Sequence, residues 1–250
     1  MLLALSISEK GRVSRLDFGE RLLNIDDRYC KPGTGCGKFK AGGSPDFVAE
    51  GGFGNGAAMR ISPVGIVTPP SLAAQLIADV VAVSTLTHNT PPAISGTVFV
   101  AAAVSAAMEG YSRQDVIEYA LNTIRAYESG IEFPGLRMSE TCEYALQVGL
   151  EAYVESLTSG SEWGFIAIES VPAVFAAVAS GGSLADTLLR CVNLGGDADS
   201  IASMAGAILG TLYPGQWPEA WTRYVCERNG LDLEPIARSL AALRADRAQY

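Results

Sequence analysis

The stretch SRQDVIEYALNTIRAYESG, residues 112–130, decides the fold class. Ser112 with Asp115 three positions later marks a helix start, with a hydroxyl to cap and an acid where the helix dipole favours it. Val116, Ile117, Ala120, Leu121, Ile124 and Tyr127 then recur at helical spacing, and Gly130 is a stop. Ser14 and Asp17 repeat the start ahead of Phe18, Leu22 and Leu23. Glu140 to Leu157 and Pro235 to Arg247 predict further helices, the second with proline in its first turn. Long strand-type alternation, strand–helix alternation and a repeat of fixed period are all missing from the sequence. The class expected is all-α, in one domain over residues 1–250.

Composition supports a large core. Of 250 residues, 48 % are hydrophobic and 18 % charged, which excludes a disordered chain. A net charge of −9 argues against nucleic acid as a partner, because phosphate binding needs clustered Lys and Arg. There is no basic run to suit an anionic membrane surface. Val80 to Met108 contains no Asp, Glu, Lys or Arg, but it includes His88, Asn89, Pro91 and Pro92. That predicts two proline-interrupted core helices in place of a membrane span. The five cysteines, Cys30, Cys36, Cys142, Cys191 and Cys226, are odd in number and form no C-x-x-C pair. With no signal peptide at the start, reduced thiols and a cytoplasmic location are expected.

Two stretches interrupt the helical pattern. Lys31 to Gly56, KPGTGCGKFKAGGSPDFVAEGGFGNG, predicts a long structureless segment, and such segments in compact domains are often functional. Tyr213 to Pro218 predicts a shorter turn.

Three constellations carry possible chemistry. Gly195-Gly196-Asp197-Ala198-Asp199-Ser200 places two carboxylates and a hydroxyl just before an apolar helix. Converging hard oxygens suit Mg²⁺, Mn²⁺ or Ca²⁺, and the glycines permit a tight bend close to a ligand. Equally, Asp199 or Ser200 would serve as an ordinary helix cap. Gly206 and Gly210 further along that helix predict a close helix crossing. In the second constellation, Gly51-Gly52-Phe53-Gly54-Asn55-Gly56 leads into Ala57-Ala58-Met59-Arg60. Glycine-rich loops that enter a helix expose N–H groups to phosphates. Asn55 tolerates left-handed backbone and suits a ribose hydroxyl, and Phe53 suits a purine ring. A turn-rich cap is the alternative. The third is Thr87-His88-Asn89-Thr90-Pro91, holding the only histidine. Residue type alone favours a structural role for it. There is neither a G-x-S-x-G elbow nor a zinc ligand set.

In order, FGNGAAMRISPVG (53–65), TLTHNTP (85–91), ESVPAVFAAV (169–178) and NLGGDADSIASMAGAILGTLYP (193–214) resemble the ADP-ribosylglycohydrolase family. The resemblance spans essentially the whole chain. It implies an orthogonal all-α bundle with a binuclear Mg²⁺ centre, cleaving the glycosidic bond between ADP-ribose and an acceptor. By motif position, Asp197, Asp199 and Ser200 correspond to part of the metal site, with Asp197 and Asp199 as catalytic residues. The family usually has Thr where Ser200 stands. Gly52, Phe53, Gly54, Asn55 and Gly56 correspond to the loop that grips ADP-ribose, and His88 to a ligand contact. One departure is large. Family members carry a Gly-Asp-Ala-x-Gly segment with a Glu, then a Thr-Asp-Asp-Thr type motif. This chain opens MLLALSISEKGRVSRLDFGERLL, and Asp26-Asp27 is no substitute. The resemblance therefore implies an N-terminally shortened domain with half of the metal site, and exposed Leu2, Leu3, Leu5 and Ile7 that promote self-association. The alternative expectation is a non-catalytic ADP-ribose-binding or structural protein on the same fold.

Overall fold

Fourteen α-helices form among the described residues, 1–157 and 163–248, of the computed structural model. In chain order they are α1 (Leu2–Lys10), α2 (Arg15–Leu23), α3 (Gly35–Gly42), α4 (Ser62–Val67), α5 (Ala73–Ser84), α6 (Pro91–Met108) and α7 (Arg113–Ser129). Then follow α8 (Met138–Val148), α9 (Leu150–Leu157), α10 (Ala167–Ala179), α11 (Leu184–Val192), α12 (Ala198–Leu212), α13 (Glu219–Asn229) and α14 (Glu234–Arg247). Among the described residues the sole β-type pairing is an isolated bridge between Gly54 and Ile166. The all-α expectation holds.

The charge-free stretch forms the centre. α6 begins with two prolines, whose missing N–H groups cost nothing at a helix start. Every residue from Ala93 to Ala107 is buried, with α4, α5, α7, α10 and α12 packed around it. It is long and apolar enough to cross a membrane, yet 83 % of it is buried inside the protein, as a core helix requires. The connector between α5 and α6, Thr85–Thr90, is thereby fixed at both ends by core helices.

The capping signals hold as predicted. Ser14 Oγ accepts the Asp17 N–H at 3.3 Å ahead of α2, and Ser112 Oγ accepts the Asp115 N–H at 3.2 Å ahead of α7. Ser183 does the same for Asp186 at 3.1 Å. α14 is held to the core by Arg244, whose guanidinium donates to the carbonyls of Gly65, Ile66, Thr68 and Ser105 and to Glu109.

Several expectations are corrected. Residues 31–56 are not structureless, because α3 lies within them, capped by Thr34 and anchored by fully buried Phe39. Glu140–Leu157 is two helices, broken at Gly149, which takes φ 84°. Leu3 and Ile7 are buried, and Leu2 and Leu5 partly so, because α1 packs on α2, α4 and α14. Exposed apolar side chains gather instead on α13, at Trp221, Tyr224 and Val225. Gly210 faces the Trp217 ring, and Gly206 lies beside Leu188 of α11 and the same ring. Cys30 and Cys36 form a disulfide across a Cα separation of 5.2 Å, which corrects the expectation of five reduced thiols. Cys142, Cys191 and Cys226 are free.

Candidate functional site

The three constellations, distant in sequence, meet in one place. The glycine loop runs antiparallel to the segment before α10. Asn55 N–H donates to Phe165 O at 3.1 Å, and Ala167 N–H donates to Phe53 O at 2.8 Å. On its other side the loop is tied to the α5–α6 connector. Asn89 N–H donates to Gly51 O at 2.9 Å, and Thr90 Oγ1 donates to Gly52 O at 2.9 Å. No backbone acceptor among the described residues takes the N–H of Gly52, Phe53 or Gly54.

Glycine is required here by close approach. Gly52 has φ 107°, and a Cβ on it would stand 2.7 Å from Thr87 O. At Gly54 and Gly56 a Cβ would stand 3.2 Å from His88 Nε2. The imidazole occupies the space those side chains would need.

Asn55 joins the loop to the acidic turn. Its Nδ2 donates to Gly164 O at 2.9 Å and to Asp197 Oδ2 at 2.5 Å. Its amide protons are thus engaged within the protein and do not face a ribose hydroxyl. Its backbone is not left-handed either, since only glycines have positive φ among the described residues.

Asp197 is the N-cap residue of α12, but its side chain makes no capping hydrogen bond. It turns instead toward Asn55, while Ser200 Oγ donates to Met59 Sδ at 3.8 Å. Burial pushes the Asp197 pKa above the ordinary carboxylate range. The hydrogen bond from Asn55 and the nearby Ser200 hydroxyl oppose the rise, and Asp199 adds to it. Asp197, and neither Asp199 nor Ser200, stands at the N-cap position of α12. Gly195 and Gly196 both take positive φ. Gly196 lies so close to Trp163 that a Cβ would collide with its carbonyl, whereas Gly195 borders open space.

These donors fit a hard cation. Mg²⁺ is commonly held by one or two carboxylates, with waters and phosphate oxygens completing its shell. Bringing two carboxylates together in a partly buried turn raises the cost of ionising both, and a cation would relieve that cost. No group of three or more His, Cys, Asp or Glu side chains forms among the described residues.

The loop is flanked by two cavities. One, of about 670 Å³, is lined by Lys38, Phe47, Gly51, Gly52, Phe53 and Thr87. Phe53 is 62 % exposed and stands free at its edge. The other, of about 580 Å³, includes Phe18, Gly56, Met59, Arg60 and His88. His88 Nδ1 lies 2.8 Å from Thr87 Oγ1, which accepts from Arg60 Nη2 at 2.6 Å. Burial, with the Arg60 charge second, lowers His88 to about 3, so it is uncharged at neutral pH. Burial also lowers Arg60 to about 10, leaving it charged. The sequence pattern does not single out Lys38, Phe47, Arg60, Thr87 or Trp163 as site residues. Arg60 and Thr87 adjoin recognised motifs, and that adjacency is the signal available for them.

Comparison with known proteins decides the family. The sequence model for ADP-ribosylglycohydrolase matches residues 1–249. The chain belongs to the ADP-ribosylglycohydrolase family. It is 33 % identical over 212 residues to the uncharacterized protein YegU of Escherichia coli K12, covering 80 % of this chain and 62 % of YegU. It is 30 % identical over 201 residues to ADP-ribosylhydrolase ARH3 of Homo sapiens, covering 70 % of this chain and 54 % of ARH3. The chain thus spans little more than half the length of these relatives. A solved structure titled ADP-ribosylglycohydrolase-related protein complex shares the fold, with TM-score 0.69 and 22 % identity over 98 % of this chain and 78 % of that one.

Proposed function

We propose that this ADP-ribosylglycohydrolase binds ADP-ribose around the glycine loop and hydrolyses its glycosidic bond to an acceptor, with Mg²⁺ held at Asp197, Asp199 and Ser200. The observation that carries this is the Asn55–Asp197 hydrogen bond, which couples the loop to the acidic turn across 142 residues of sequence. The N–H groups of Gly52, Phe53 and Gly54, which have no backbone acceptor among the described residues, suit diphosphate oxygens. Lys38 on the same cavity adds positive charge. Phe47 and Phe53 offer apolar faces for a purine in that cavity.

Breaking the anomeric bond builds positive charge on the ribose and needs an oriented water. Mg²⁺ would supply Lewis-acid assistance to that water. Asn55 holds the Asp197 carboxylate in one orientation, and Asp199 stands exposed on the first turn of α12, where it can orient the attacking water. Binding of the distant adenosine and diphosphate then serves to position the reacting bond. A second reading is an ADP-ribose binder without turnover, since the described residues hold no cluster of three or more His, Cys, Asp or Glu side chains.

Release of ADP-ribose from an ADP-ribosyl-arginine substrate, with Mg²⁺ and with EDTA, separates the two. The hydrolase reading expects release with Mg²⁺ alone, abolished by Asp197→Ala and lowered about ten- to a hundredfold by Asn55→Ala. Wild-type turnover in Asp197→Ala would overturn it. Saturable ADP-ribose binding without release would support the binder.

A further inference from the structure

We propose that Arg60 and Thr87 are positioning residues that fix the tautomer of His88, with its proton on Nε2 and directed into the site. The assignment follows from counting donors. A guanidinium only donates. Arg60 Nη2 reaches Thr87 Oγ1 at 2.6 Å, so the threonine oxygen is the acceptor in that bond. Thr87 is fully buried and has one proton of its own to place. Among the described residues its remaining partner is His88 Nδ1, at 2.8 Å. The arrangement that satisfies the Thr87 hydroxyl and His88 Nδ1 has Arg60 donating to Thr87 and Thr87 donating to Nδ1. Were Nδ1 to carry the proton, the buried threonine hydroxyl would have no acceptor.

The ring proton then belongs on Nε2. That atom has no protein acceptor among the described residues, and it faces the side-chain-free positions Gly54 and Gly56. It borders the cavity of about 580 Å³. Arg60 is held in place by Gly56 O at 3.0 Å and by the Phe18 ring, whose centroid lies 5.6 Å from its guanidinium carbon. The Arg60 charge therefore stands beside the Thr87–His88 pair. Its nearness and the ring's burial both keep the imidazole uncharged. His88 is thereby a fixed neutral donor, suited to an oxygen acceptor such as a phosphate or a ribose hydroxyl. That a ligand oxygen receives this proton rests on the proposed function. The tautomer does not.

His88 is the only histidine in the chain, so its imidazole nitrogens can be observed without assignment ambiguity. The test is a long-range ¹H–¹⁵N correlation spectrum of the full chain at pH 7. The expected spectrum shows one neutral ring with Nε2 protonated. Thr87→Val, which keeps the side-chain shape, should lose the single-tautomer pattern, and Thr87→Ser should restore it. Arg60→Met should give a mixture as well. Wild-type protein showing Nδ1–H or imidazolium overturns the proposal without any variant, and so does a Thr87→Val spectrum identical to wild type. Adding ADP-ribose to the same sample checks the function separately: an unmoved Nε2–H signal would count against the ligand contact and leave the tautomer standing.

Discussion

Gly54 and Gly56 leave the His88 ring the space that a methyl group would take. A Cβ at Gly56 would meet His88 Cε1 at 3.1 Å, and one at Gly54 would meet Nε2 at 3.2 Å. Both are closer than ordinary contact, so the ring must yield by a few tenths of an ångström. Gly54→Ala and Gly56→Ala are therefore expected to lower ADP-ribosyl hydrolysis by about tenfold or more, at a stability cost of no more than about 1 kcal/mol. Gly215, where an added Cβ would meet open space and φ is ordinary, is the control: Gly215→Ala should leave activity unchanged. Steady-state kinetics with a thermal melt on each variant checks this. The identities of the site residues are legible in the sequence, and their partners are not. Asn55 reads as a ligand for ribose because nothing local shows that its amide reaches Asp197. Arg60 is marked only by its place after the glycine loop, because its role depends on a threonine 27 positions away.

Helices announced by their own ends are the readable ones. α2 and α7 each carry a Ser-x-x-Asp start, a signal complete within four residues. α3 is hidden in the sequence because Gly35, Gly37 and Gly42 resemble a loop. Their absent side chains instead let the helix sit against the backbones of Thr87 and Lys31 and the ring of Phe47. α8 and α9 share one apolar rhythm, and only the positive φ at Gly149 parts them. The start of α8 has a device that sequence does not reveal. Glu128, at the end of α7 and 1 % exposed, accepts the N–H groups of Met138 and Ser139 and the hydroxyls of Ser95 and Ser139. Glu128→Ala leaves four buried donors without an acceptor. It should cost about 3 kcal/mol or more, read as a lower urea midpoint, with Glu128→Gln recovering part of the loss.

For the whole molecule, the all-α architecture is legible because the charge-free stretch suits a core, and α6 is that core. The meeting of the glycine loop, the connector and the acidic turn is not legible, since it depends on how α5, α6, α10 and α12 pack. That packing also sets the response to acid. An unfolded histidine titrates near 6.5, whereas burial and then Arg60 lower folded His88 to about 3. Between these values the unfolded chain holds a proton that the folded chain lacks, so stability falls as pH drops from about 6.5 toward about 3. Asp17 extends the loss. Burial pushes its pKa up, but Arg21 and Lys10, paired with its carboxylate at 2.7 and 3.2 Å, outweigh it and hold Asp17 at about 2. Its stabilisation, present above about pH 4, disappears as pH falls toward about 2. Thermal midpoints should decline steadily below about pH 6.5, and His88→Gln should flatten the upper part of that decline.

That one site joins the glycine loop to the acidic turn is tested most directly by calorimetric titration of ADP-ribose. The expected result is saturable binding that strengthens with Mg²⁺, weakens in Phe53→Ala, and loses its Mg²⁺ response in Asp197→Ala. Binding that is absent from folded protein, or that is the same in EDTA and in Asp197→Ala as in wild type with Mg²⁺, would contradict it.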